Sequence, residues 1–337
     1  MRIHMCSLFL LGSAAITSPA SVNEAITARE RALDFVRHQT QFHLGFLVTE
    51  QPHPATRGLA EMLATNTAAG IRMVLCVDDD LPPVARRAVA SPEFAALREA
   101  MRRALDGRRR IVFSGCGATG RLAILLDATW RRFWRETFER YPDLRPALGE
   151  LADLTRSVMT GGDFALIRSV ESFEDFISFG ERQVEELGLG PGDVLVAISE
   201  GGETSSVIGT ALRALADGAR VWFVFNNPAD LLAERLERSR RLIRNPAVTC
   251  LQLCTGPMAV AGSTRMQATT IEMLVVGLAL ETALADHLAA RRDDAAAVAL
   301  RLPAFQSSPA QPAAAVDRFE RMIAELRSDQ NLEALAR

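Results

Sequence analysis

The chain has 337 residues, 48% hydrophobic and 23% charged, enough for one large domain or two small ones with a sizeable core. Its 41 acidic and 38 basic residues leave a formal net charge of -3 with no block of one sign, which argues against nucleic acid and anionic membranes as partners. Every Lys/Arg position is arginine, so a Schiff-base lysine, a lysine general base and the lysine of a phosphate-binding P-loop are excluded.

Residues 1–22 carry Arg2, the apolar run Cys6 to Ile16 and small residues after it, a weak targeting-like pattern. No uninterrupted apolar run reaches the roughly 20 residues of a membrane span, and a cytoplasmic protein is expected. Residues 23–105 form a helical lead-in, with apolar positions at three and four spacing through Ala32, Phe35 and Val36 and again through Leu59, Met62 and Leu63. Its two prolines at Pro52 and Pro54 mark a break between helices.

From residue 106 to 300 short apolar runs alternate with amphipathic helices. Strands are expected at Ile111–Ser114, Arg156–Thr160, Asp193–Ser199, Arg220–Phe225 and Val248–Cys254, and helices at Thr119–Phe133, Glu174–Leu187, Thr204–Ala216 and Ser263–His287. Strands apolar on both faces and separated by helices imply a doubly wound α/β domain, a parallel sheet covered on both sides. Ligands of such sheets bind beyond the carboxyl ends of the strands. Residues 301–337 hold a linker rich in Pro, Ala, Ser and Gln, Leu302 to Ala315, and a last amphipathic helix, Val316–Leu326. The five cysteines (Cys6, Cys76, Cys116, Cys250, Cys254) are odd in number and widely spaced, the usage of reduced core residues rather than a disulfide framework or a zinc site. Neither metal nor cofactor is expected.

Four loops carry chemistry. The first strand runs into Ser114-Gly115-Cys116-Gly117-Ala118-Thr119-Gly120-Arg121, a glycine turn at a helix start that suits an anion. Its glycines match G-x-G-x-x-G, but the acids near the required distance, Glu136 and Glu139, do not fall at a strand end, which counts against a dinucleotide. The third strand ends in Ser199-Glu200-Gly201-Gly202-Glu203-Thr204-Ser205-Ser206, more hydroxyls than one helix cap requires. Glu203 is out of place there, since an acid in a phosphate loop repels the ligand. Gly262-Ser263-Thr264-Arg265-Met266 opens the long helix, with Arg265 either an anion partner or half of a buried ion pair. After the second strand, Gly161-Gly162-Asp163 and Val170-Glu171-Ser172-Phe173-Glu174-Asp175 supply carboxylates for a general base or for sugar hydroxyls, or simply acids favoured by a helix dipole.

In this order the motifs resemble sugar isomerase (SIS) domains, within them the branch that holds N-acetylmuramic acid 6-phosphate etherases and the glucokinase regulatory protein. The resemblance covers about Thr49 to Leu284 and rests on Thr49-Glu50, the G-x-G-x-[ST]-G-R loop, Val-Glu-x-x-Glu-Asp and Gly-Ser-Thr-Arg-Met. It implies a three-layer α/β/α sandwich with a five-stranded parallel sheet, a phosphosugar ligand and a homodimer. It also implies that Gly117, Thr119, Gly120, Ser199, Gly201, Thr204, Ser205, Ser263, Thr264 and Arg265 hold phosphate and sugar. Glu174 matches the glutamate that acts on the proton at C2 in the etherases, which split a lactyl ether by elimination and then add water.

That chemistry calls for a second acid, which in the etherases follows Asp-Ala-Ser. This chain reads Asp127-Ala128-Thr129-Trp130, with tryptophan at the position of the acid. Asp127 is the available substitute if the helix register shifts. The regulatory-protein branch also lacks the acid and binds fructose phosphates without catalysis, so Trp130 favours a sugar-phosphate sensor, with a sugar kinase as a possible partner. An etherase-type lyase and an aldose–ketose isomerase, for which Glu174 alone would suffice, stand as alternatives.

Overall fold

Ile111–Gly115 (β1), Thr155–Met159 (β2), Val194–Ile198 (β3), Arg220–Phe225 (β4) and Val248–Gln252 (β5) form one sheet in the order β2-β1-β3-β4-β5, every pair parallel. They are seen in a computed structural model that describes residues 19–168, 171–291 and 311–336. The targeting-like N-terminus, most of the Leu302 to Ala315 linker and Val170 of the acidic motif lie outside the described residues. β1 and β3 are buried at every position, which is why both read as unbroken apolar runs.

The described residues up to Leu44 and those from Gly45 onward form separate compact units. In the first, α1 (Pro19–His38) leads to a 3-10 turn, Thr40–Phe42, whose Phe42 ring stacks on Phe35. In the second, α2 (Leu59–Thr65), α3 (Thr67–Cys76), α4 (Leu81–Val89) and α5 (Pro92–Asp106) precede the sheet. α6 (Gly117–Arg140) and α7 (Arg145–Leu148) join β1 to β2, and α8 (Phe164–Ile167) and α9 (Ile177–Glu185) join β2 to β3. α10 (Ser205–Ala216) joins β3 to β4, α11 (Ala229–Arg235) and α12 (Glu237–Ile243) join β4 to β5, and α13 (Gln267–Ala290) follows β5. Helices Gln311–Leu326 and Asp329–Ala336 close the chain's described part.

One face of the sheet presents Ile111, Phe113, Val194, Val196, Ile198, Trp222 and Val224 to the apolar stripes of α5, α6 and α13. The other face is met by α10, whose Thr210 hydroxyl lies 2.7 Å from that of Ser114 on β1. α13 is long and apolar enough to cross a membrane, but 67% of its most apolar window is buried inside the protein, the exposure of a core helix.

Several expected boundaries move: the last helix begins at Gln311 rather than Val316, inside the expected linker, and three other shifts have a local structural reason. α6 continues past Phe133 to Arg140, because Trp134 takes Trp130 edge-on and stacks on Phe138, burying the extra turns. α9 begins at Ile177 rather than Glu174, since Glu171–Phe173 forms a 3-10 turn of its own. α13 begins at Gln267 rather than Ser263, because Ser263 N–H bonds Val260 O and Met266 N–H bonds Ser263 O in a turn ahead of it.

α9 and α10 cross with their backbones in contact. A Cβ on Gly180 would sit 1.8 Å from the Ser206 carbonyl oxygen, and one on Gly209 2.0 Å from that of Ile177. Only hydrogen fits at either position. The crossing ties the segment before α9, which contains Glu174, to the loop that opens α10.

Candidate active site

At the carboxyl ends of the strands the loops enclose a polar cleft of about 420 Å3. Gly117 and Ala118 bring the start of α6 to it, Gly201 and Thr204 the turn after β3, and Thr264 and Arg265 the turn before α13. Glu174 lines the same space, so five of the ten expected binding residues meet the expected base: Gly117, Gly201, Thr204, Thr264 and Arg265.

The other five do not reach the cleft. Thr119 is buried, its hydroxyl accepting the Cys116 N–H at 3.0 Å and donating to the Cys116 carbonyl at 2.8 Å. Capping its own turn is therefore what that side chain does. Gly120 is buried against Met159, Ser199 is buried with its hydroxyl 3.0 Å from that of Thr204, and Ser205 and Ser263 also lie off the lining. Ser199 thus aims Thr204 rather than touching a ligand.

Asp127 is corrected as an acid. Its Oδ1 accepts the Thr155 hydroxyl at 2.6 Å and Arg131 Nε at 3.1 Å, and Thr155 is the first residue of β2, at the end of the sheet opposite the cleft. The register does not shift: Trp130 is buried with its indole N–H on the Leu151 carbonyl at 2.8 Å. Arg265 is exposed on the cleft wall, not buried in an ion pair.

Glu174 is positioned at both ends. Its carbonyl accepts the Ser206 N–H at 2.9 Å across the α9–α10 crossing, and its Oε2 accepts the Cys116 thiol at 3.3 Å. Burial, then the charge of Glu174, pushes the Cys116 thiol up to about 12, so it stays a neutral donor to the carboxylate. The Ser206 hydroxyl lies 2.8 Å from that of Thr160, which lines the cleft from the end of β2.

Three further carboxylates face the cleft. Glu203 is paired in the loop: its Oε2 accepts Arg238 Nη2 at 2.7 Å, which offsets part of its charge toward an incoming anion. Glu50 arrives on the 3-10 turn Val48–Glu50, and burial, then the charge of Glu203, raises its pKa. Glu200 is 7% exposed and its Oε1 accepts the Thr269 hydroxyl at 3.0 Å. Burial pushes it up to about 7, against its own backbone N–H, Thr269 and Arg265, with Glu203 adding to the rise. Behind it Glu272 is fully buried and held well above the carboxylate range, first by burial and then by Glu200.

Residue types alone do not mark Glu50 and Glu200 as site residues. Glu50 lies in the Thr49-Glu50 motif, and its arrival depends on Asn227, which follows β4. Asn227 Oδ1 accepts the N–H groups of Val48 and Thr49 at 2.9 and 3.3 Å, while its Nδ2 donates to the Thr49 hydroxyl and the Gly201 carbonyl, both at 3.0 Å. Asn227→Leu orphans these buried groups at about 1–3 kcal/mol each, and is expected to lower the unfolding free energy by about 3 kcal/mol. Urea denaturation of the two proteins checks this.

The raised carboxyls also set how stability varies with pH. Glu200 and Glu272 bind protons more tightly folded than unfolded, so the stability they contribute is present below 4.5 and is lost as pH rises, for Glu200 through about 7. Glu272→Gln is therefore expected to be more stable than wild type at pH 8 and to lose less stability between pH 5 and 8, measured by urea denaturation.

The domain described as the glucokinase regulatory protein N-terminal SIS domain matches residues 94–215. The chain is 32% identical over 230 residues to an N-acetylmuramic acid 6-phosphate etherase of Deinococcus radiodurans, across 68% of this chain and 65% of that protein. It thus spans just under two thirds of that relative's length. It is 30% identical over 241 residues to the protein of the same name from Mesorhizobium japonicum, across 72% of this chain and 69% of that one. A phosphoheptose isomerase from Neisseria gonorrhoeae superimposes with a TM-score of 0.43 at 18% identity, over 66% of this chain and 98% of that one.

Proposed function

This chain belongs to the SIS-domain family of the N-acetylmuramic acid 6-phosphate etherases, and from that premise we propose that it is a lyase that cleaves a 3-O-lactyl ether from an amino-sugar 6-phosphate. The observation that carries the proposal is the meeting of Glu174 with the turns at Gly117, Gly201–Thr204 and Thr264–Arg265 in one polar cleft. A phosphate held by Arg265 and by the backbone and hydroxyls of those turns leaves the sugar ring to lie toward Glu174. Glu174, kept in place by Ser206 and Cys116, is then the base for the C2 proton.

The preference for a sensor rested on Trp130, which occupies the place of an acid. That ground weakens once the cleft is seen to hold carboxylates on other loops, and the relatives bear the name of the lyase. Proton NMR of the protein with N-acetylmuramic acid 6-phosphate tests the choice. Free lactate accumulating at an enzymatic rate is the expected result; broadened sugar signals with no lactate would support the sensor and sink the lyase.

A further inference from the structure

We propose that Glu200 is the general acid that protonates the departing lactyl oxygen, the second acid that the elimination calls for and that Trp130 does not supply. The proposal rests on the lyase reading and names the one group that reading lacks. Four observations select Glu200 among the carboxylates at hand. Asp127 lies at the wrong end of the sheet. Glu203 is engaged by Arg238, whose Nη2 lies 2.7 Å from its Oε2. Glu50 is only part-buried, on a turn that reaches the site from outside the sheet. Glu200 stands at the end of the central strand β3, nearly sealed from solvent yet on the wall of the cleft that Glu174 and Cys116 also line.

The surroundings of Glu200 keep a proton available. Asn226 donates its backbone N–H to the Glu200 carbonyl at 3.0 Å and its side-chain amide to Glu272 Oε1 at 2.8 Å. Glu272 Oε2 and Asn226 Oδ1 are buried with no hydrogen-bond partner, an arrangement that a carboxylate ion would not tolerate. Burial, then the charge of Glu200, holds the Glu272 pKa well up, which favours a neutral carboxyl behind Glu200. The charged and titratable groups facing Glu200 are Glu203 on its own loop, Arg265 before α13, Glu272 on α13 and Cys116 before α6. Of these charged groups Arg265 alone favours the ion, and it is exposed, while the backbone N–H and the Thr269 hydroxyl also favour it but do not outweigh burial.

In the elimination Glu174 takes the C2 proton, the electrons of that bond form C2=C3, and the C3–O bond breaks. Its electron pair leaves on the lactyl oxygen, which takes the Glu200 proton. In the second half Glu200 takes a proton from water, hydroxide bonds to C3 and Glu174 returns its proton to C2. Both carboxyls end as they began, with one water consumed and one lactate released.

The test follows two substrates with wild type, Glu200→Gln and Glu174→Gln: N-acetylmuramic acid 6-phosphate, and the corresponding 3-O-(4-nitrophenyl) ether, whose phenolate leaves without a proton. Glu200→Gln is expected to lose about 10²–10⁴-fold in kcat on the lactyl ether and to keep most of its rate on the aryl ether, while Glu174→Gln loses both. The wild-type rate on the lactyl ether should fall as pH rises through about 7, and that limb should be missing in Glu200→Gln. Glu200→Asp, which keeps the proton, should recover part of the rate. Equal losses on both ethers, or a wild-type rate on the lactyl ether, would overturn the assignment, as would a limb that vanishes in Glu50→Gln instead. A wild-type protein that releases no lactate overturns the lyase reading itself, an outcome distinct from these.

Discussion

Glu174→Gln is expected to abolish lactate release, lowering kcat by at least about 10²–10⁴-fold while leaving the fold and phosphosugar binding in place. Glutamine keeps the shape of the side chain and can still meet the Cys116 thiol, so what it removes is the ability to accept a proton. Ser206 bonds the main-chain carbonyl of this residue and not its carboxylate, so the local backbone survives the change. Saturation of the ligand's NMR signals should therefore occur at concentrations close to wild type, with turnover alone missing. A variant that turned over at the wild-type rate would remove Glu174 from the chemistry and take the elimination mechanism with it.

The second large effect comes from a residue that touches no ligand. Gly209→Ala places a methyl group 2.0 Å from the Ile177 carbonyl oxygen, on backbone that has no rotamer by which to escape. The helices must separate by more than an ångström, at a cost of about 1–3 kcal/mol or more in stability. The same separation stretches the bond from Ser206 N–H to the Glu174 carbonyl, so the base moves with α9. A displacement of that size can cost about 10²-fold in rate. Gly209→Ala is thus expected to lower both Tm and kcat, and Gly180→Ala to do the same from the opposite helix. Thermal melts and lactate release check the two readouts; a loss of stability with kcat unchanged would show that the crossing does not position Glu174.

Much of this was legible before any coordinates. β1, β3 and β4 are short apolar runs between helices, and that pattern is local, so it predicted a parallel sheet and the end of it at which to look. Glu174, Thr204 and Thr264 came from loops whose residue types suited a phosphosugar. What stayed hidden was direction. Thr119 and Ser199 look like ligand hydroxyls in a glycine-rich loop, yet each is buried and satisfied within its own loop. Glu200 looked like a spacer between hydroxyls, and only the packing of α13 behind β3 and β4 turns it into a buried acid with a second acid at its back. Trp130 read as a missing group, and the structure adds why it cannot be repaired on the same helix: that part of α6 is bound into an aromatic core.

The absence of lysine has a consequence for the cleft as a charged surface. Its cations, Arg121, Arg168 and Arg265, are all guanidiniums, the side-chain type that does not lose its proton in proteins, and no histidine is among the described residues that line it. The Cys116 thiol stays neutral as well. Between pH 5 and 9 the wall therefore gains negative charge as the solution turns basic, by shedding the proton of Glu200 through about 7. Alkali does not weaken the grip on a phosphate by discharging the cations; it raises a counter-field beside them, while the phosphate itself is already a dianion above about pH 6. Affinity for the phosphosugar should thus decline as the solution turns basic and should not decline on the acid side until the ligand begins to protonate, an asymmetry set by the choice of arginine.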